Sequence, residues 1–116
     1  MESTQLKEFN LIRVCVESPD CLEQAIAKVT ASDFYHPVYR DMYSYCIERF
    51  SKGETVDPAN VITKNEDWYK VMAVSPDVVP MAANVSVYIN EVLEASRLRK
   101  IQRTANEIAK TSDCAE

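Results

Sequence analysis

Glycine is nearly absent from this sequence, which holds one, Gly53, in 116 residues. A G-x-x-x-x-G-K-[ST] phosphate loop needs two, so a nucleotide site of that kind is excluded. Histidine is as scarce. The only one, His36, precedes Pro37 at a helix entry, where it reads as an N-cap or surface residue, and no Ser/His/Asp or Cys/His set forms around it. The four cysteines, Cys15, Cys21, Cys46 and Cys114, show no C-x-x-C spacing. A metal site from Cys21, His36 and Cys46 is geometrically conceivable, but Cys15 and Cys46 read more simply as small core residues on helix faces in a reducing, cytoplasmic setting. No run approaches the ~18 apolar residues of a membrane span, and the start M-E-S-T-Q-L-K lacks the apolar core of a signal peptide. Lys and Arg number 13 against 18 Asp and Glu, a net charge of −5. That balance argues against a nucleic-acid platform, because phosphate binding is driven by clustered cations.

What is present points to helices. Ser32 to Ala59 contains one complete helix and the start of another: Pro37 fits the first turn, Tyr39, Met42, Tyr43, Cys46, Ile47 and Phe50 recur at helical spacing, and Gly53 supplies the left-handed residue past the end. Asp57 then reads as N-cap and Pro58 as first turn of the next helix. Before this stretch, Leu6, Phe9, Leu11, Ile12, Cys15 and Val16 form a wide apolar stripe over about Thr4 to Glu17, which predicts a largely buried helix. Ser18-Pro19 opens a short second helix carrying Leu22, Ala25, Ile26 and Val29. A brief fourth helix is predicted over Pro58 to Thr63, and a fifth starts at Asn65 or Glu66 and carries Trp68, Val71 and Met72. Ser75 to Pro80, with two prolines, reads as a loop.

From about Asn84 to Lys110 there is neither Pro nor Gly, and Tyr88, Val92, Ala95, Leu98, Ile101, Ala105 and Ile108 step by three or four. This predicts one helix of about 25 residues, or ~38 Å. A bundle of this size has a radius of gyration near ~13 Å, so the C-terminal end of the rod should project beyond it. The predicted fold is all-α: a compact bundle of about five short helices over 1–83, then a long helix over 84–112. Phe34, Tyr39, Ile47, Phe50, Tyr88 and Val92 are its expected core.

Two blocks carry a resemblance. Asp33, Phe34, Tyr35, Pro37, Arg40, Gly53, Val56 and Asp57 stand in one order, and Asn84-Val85-Ser86-Val87-Tyr88, Val92, Arg97 and Asn106-Glu107-Ile108-Ala109 in a second. In that order they resemble the N-terminal domain of DnaB-family replicative DNA helicases, over residues 6 to 112. Tyr39 stands where the family commonly has a His. The resemblance implies that the long helix is the first arm of a helical hairpin through which neighbouring domains pair, and that a ring of six carries three such pairs. It places a turn at 113–116 and the returning arm beyond, in a longer polypeptide.

On this reading Leu98, Ile101, Ala105 and Ile108 are the self-association stripe. Arg97, Arg99, Lys100 and Arg103 form a basic cluster, either a solvated face paired with Glu94 and Glu107 or a partner-docking or DNA-proximal patch at the collar of the ring. The tyrosines Tyr35, Tyr39, Tyr43 and Tyr45 read as core packing rather than base stacking, and Glu8, Glu48, Glu91 and Glu94 as solvated charges. No catalytic, cofactor or metal residue is assigned. The resemblance implies ATP and Mg only for a C-terminal domain outside this chain. The expected partners are a second copy, a primase and a helicase loader, with neither nucleic acid nor membrane bound directly. A free-standing phage-type regulator that binds a helicase is the alternative, and an unrelated helical transcription regulator a weaker one.

Overall fold

The computed structural model describes residues 2–73 and 80–114, and these form helices without strands. Six α-helices follow in order: α1 (Ser3–Glu17), α2 (Pro19–Ile26), α3 (Pro37–Ser51), α4 (Pro58–Lys64), α5 (Trp68–Met72) and α6 (Val85–Cys114). Two 3₁₀ turns, Ala31–Asp33 and Ala82–Asn84, introduce the segments leading to α3 and α6.

The helix starts follow from local chemistry. The Glu2 carboxylate accepts from the Gln5 and Thr4 N–H groups at 2.7 and 3.3 Å, Ser18 caps α2 ahead of Pro19, and Asp57 accepts from Asn60 N–H at 2.8 Å ahead of Pro58. Helix α3 ends as predicted. Gly53 has φ +73°, and the bonds Gly53 N to Phe50 O and Glu54 N to Arg49 O close a Schellman turn. Helix α5 begins at Trp68, later than expected, because Asn65 instead forms a turn, its side chain accepting from Asp67 N–H at 2.9 Å. Of the predicted loop, Ser75 to Val79 lie outside the described residues.

Helix α1 is the centre of the bundle. Phe9, Leu11, Ile12 and Val16 are fully covered, as are Leu22 and Ala25 of α2, Met42, Tyr43 and Cys46 of α3, and Val61 of α4. Phe34 and Tyr43 pack at 4.9 Å between ring centroids, and the Tyr43 hydroxyl donates to the Val29 carbonyl at 2.8 Å. Phe34, Tyr39, Tyr88 and Val92 are core residues, as expected. Phe50 is not: it is 39% exposed, and Ile47 is only partly buried. The buried row of α3 is Tyr39, Met42, Tyr43 and Cys46. Its last turn runs past the bundle, so Phe50 lies in a shallow groove beside Leu22, Gly53 and Val56.

The projecting helix is longer than predicted. At 1.5 Å per residue its 30 residues span ~45 Å. The molecule measures 57 × 34 × 27 Å with a radius of gyration of 16.2 Å, against ~13 Å for a compact domain of this size. Residues 113 and 114, predicted in a turn, continue the helix.

Candidate protein-docking surface

Helix α6 is held to the body along one side of its first half. Val85, Tyr88, Ile89, Val92 and Ser96 are buried, whereas every residue from Ile101 to Lys110 is exposed. At 100° per residue the buried five fall within a sector of ~100°, and Leu98, Ile101, Ala105 and Ile108 centre roughly opposite. The apolar positions therefore do not form one straight stripe. They follow the core side as far as Val92 and then turn away from it, and polar Ser96 and Arg99 replace them on the body side.

The four residues expected to mediate self-association divide between two surfaces. Leu98, half exposed, lines a groove of about 450 Å³ with Ala95, Gln102, Tyr35 and the N-terminal turn of α1. Ile101, Ala105 and Ile108 lie on a separate, shallower surface of about 400 Å³ with Arg97, Lys100 and Thr104. Ile101 is 57% and Ile108 62% exposed.

The basic residues also separate. Arg97 pairs with Glu94 through two contacts of 2.6 and 2.8 Å, as the solvated-face reading has it. Arg99 instead reaches the body. Its guanidinium donates to the Asp33 carbonyl at 2.6 Å and lies 5.4 Å from the Tyr35 ring centroid. Lys100 Nζ stands 3.4 Å from Asp33 Oδ1. Arg103 is exposed.

Asp33 is the centre of this arrangement. Its Oδ2 accepts from the Thr30 N–H at 2.8 Å and the Thr30 hydroxyl at 3.2 Å, closing the 3₁₀ turn, and its Oδ1 accepts from the buried Ser96 hydroxyl at 2.7 Å. Burial acts to raise the Asp33 pKa and is the largest single influence. The Thr30 and Ser96 hydrogen bonds, helped by Lys100, together outweigh it and hold the group below the ordinary carboxylate range. The neighbouring residues are fixed from two other helices. Glu8 of α1 accepts from the Tyr35 and His36 N–H groups at 2.8 and 3.0 Å, and Arg40 of α3 donates to the Phe34 carbonyl at 3.0 and 3.3 Å and to the Tyr35 carbonyl at 3.3 Å.

Glu8 corrects the sequence reading: it is 1% exposed rather than solvated. The signal was its place three and four residues before Leu11 and Ile12, on a face that is wholly covered. Ser96 was also missed, although it follows Val92 by one helical turn. His36 is the N-cap of α3, and its Nε2 lies 3.0 Å from Glu2 Oε1. Tyr39 and Tyr43 are core residues, whereas Tyr35 is 58% exposed and Tyr45 packs on Trp68 at 5.5 Å. Cys15, Cys21 and Cys46 are buried free thiols, and no group of His, Cys, Asp and Glu among the described residues is arranged to hold a metal ion. No helix among them is long and apolar enough to cross a membrane.

The chain is similar in sequence to replicative DNA helicases. The model of the DnaB-like helicase N-terminal domain matches residues 2–94. The replicative DNA helicase DnaB of Geobacillus stearothermophilus is 32% identical over 99 residues, 78% of this chain and 22% of that protein, and that of Leifsonia xyli is 28% identical over 110 residues, 85% and 23%. The chain thus spans under a quarter of the length of these curated relatives. Among solved structures, the N-terminal domain of Mycobacterium tuberculosis DnaB helicase superposes with a TM-score of 0.82 at 18% identity, covering 96% of this chain and 85% of that one. The Helicobacter pylori domain, described with its interactions with primase, superposes at 0.73 with 22% identity, covering 94% and 93%. The matched model covers most of the chain, from α1 into α6, and the chain belongs to the family of DnaB-like helicase N-terminal domains.

Proposed function

We propose that this domain is a non-catalytic scaffold and docking module of a hexameric replicative DNA helicase. It pairs with a second copy through α6 and a returning arm, it recruits primase and responds to a loader, and ATP hydrolysis takes place outside this chain. The observation that carries the reading is the free half of α6, where Ile101, Ala105 and Ile108 share an exposed surface with no covering element among the described residues. Family membership supports it, and so does the primase interaction described for the Helicobacter pylori domain.

Sedimentation of a chain extended by about 40 residues, enough for a turn and a returning helix, tests the pairing. The extended chain should dimerise, and Ile101→Asp with Ile108→Asp should weaken the dimer at least tenfold, because each carboxylate would have to be desolvated against an apolar face. Both positions are more than half exposed, so the circular dichroism of the double variant should match the parent's. An equally tight variant dimer would place the interface elsewhere. Binding to an intact helicase with no effect of primase would favour the free-standing regulator.

A further inference from the structure

The apolar attachment of α6 is short for the length it supports. Val85 to Val92 covers ~11 Å of a ~45 Å helix, and Val92 is its last fully covered apolar residue. With only these contacts the helix could pivot near Val92. Lys110 lies 18 residues further on, ~27 Å away, so 10° of play there would move it by ~5 Å.

Beyond Val92 the apolar contact thins to partly buried Leu93 and to Ala95 and Leu98 at the edge of a groove, and the directional ties to the body are polar. Ser96 and Lys100 meet one oxygen of Asp33, and Arg99 meets its main-chain carbonyl and the Tyr35 ring. These contacts reach across 63 to 67 residues of sequence. Their body-side partners have little freedom of their own, since Thr30 holds the second Asp33 oxygen while Glu8 and Arg40 fix residues 34 to 36. A hydroxyl and a guanidinium on successive turns constrain both tilt and rotation, as directional bonds do and apolar contact does not.

We propose that Asp33, Ser96 and Arg99 form an aiming lock that sets the direction in which the free half of α6 leaves the body. Ser96 and Arg99 are positioning residues, because their side-chain donors are engaged by Asp33. The proposal rests on the docking role of α6 for its consequence alone, because the direction is a property of the single chain.

Spin labels at Asp20→Cys and Lys110→Cys, both exposed, in a Cys114→Ser background and diluted with unlabelled protein, report the distance between body and arm. Double electron–electron resonance should give one narrow distribution for the parent. Ser96→Ala with Arg99→Gln should broaden or shift it by about 5 Å, with helix content unchanged, and restoring Ser96 and Arg99 one at a time should each recover part of the narrowing. Arg99→Gln alone, at a half-buried position, guards against unfolding and should give a smaller change of the same kind. Distributions that coincide with the parent's in both folded variants would overturn the lock. Dimerisation of the extended chain is a separate readout: an altered distance with unaltered pairing would uphold the lock and count against the docking role of α6.

Discussion

Replacing Glu8 with Leu isolates the worth of a buried carboxylate that binds no ligand. Its two oxygens accept from the Tyr35 and His36 N–H groups, and the side chain is 1% exposed, so water does not readily take its place. Leu fills a similar volume and leaves both donors without an acceptor. Hydrogen bonds to a charged group contribute ~1.5 to 3 kcal/mol each, and an unsatisfied buried donor costs ~1 to 3 kcal/mol. The added apolar burial offsets ~1 to 2 kcal/mol, which leaves a net destabilisation of roughly 2 to 4 kcal/mol. For a chain of this length that corresponds to a fall in Tm of about 10 °C, read by thermal circular dichroism. Glu8→Gln should fall between, because its amide keeps one acceptor but turns a donor toward the second N–H. A Glu8→Leu protein melting within about 2 °C of the parent would refute the assignment of Glu8 as the clamp on residues 35 and 36.

Phe50→Ala should destabilise by about 1 to 2 kcal/mol, because the ring is 39% exposed, whereas Phe34→Ala at a fully covered site should cost ~3 to 5 kcal/mol; equal melting losses would contradict the placement of α3. The lowered pKa of Asp33 stabilises the fold at pH above the unfolded carboxylate value of ~3.9, and that contribution is lost as pH falls through the folded value. The gap in Tm between the parent and Asp33→Asn should therefore be constant above about pH 5 and narrow below about pH 4, and a gap that widens in acid would reverse the sign. Burial pushes the Cys46 thiol up to about 12 and, with a smaller effect of the neighbouring thiols, raises Cys15 well above its ordinary value. Iodoacetamide at pH 8 should leave both unmodified until denaturant is added; mass spectrometry showing either one modified in the native protein would contradict their burial.

The helix limits were legible because they are written in local chemistry. Ser18-Pro19, Pro37, Asp57-Pro58 and Gly53 each satisfy or relieve backbone groups within a few residues, and the structure uses each of them so. The central apolar row of α3 was equally legible from its period. Its end was not, since the period says which residues share a face and not how far the neighbouring helices cover it; that is why Phe50 was placed in the core. The start of α5 was misplaced for a different reason. Asn65 satisfies the backbone either as a cap or as a turn residue, and here it forms the turn while Trp68 packs on Tyr45.

The candidate site was legible in position and not in orientation. That α6 outruns the body follows from counting residues, but its apolar positions drift around the helix, so Leu98 faces a groove of the body while Ile101 and Ile108 face away. Which way the helix turns depends on Ser96 and Arg99 meeting Asp33, a pairing across more than sixty residues that no local pattern encodes. The motif that carries the family resemblance acquires a physical meaning from this. Asp33 binds α6, Phe34 enters the core, Tyr35 lies against Arg99, Pro37 opens α3, and Arg40 holds the carbonyls of Phe34 and Tyr35. Asp33 and Tyr35 meet α6 while Phe34, Pro37 and Arg40 fix the segment that leads into α3, so this part of the motif lies where the body meets its arm. Substitutions within it should therefore alter stability and arm direction together, whereas substitutions at Ile101 and Ile108 should alter docking alone.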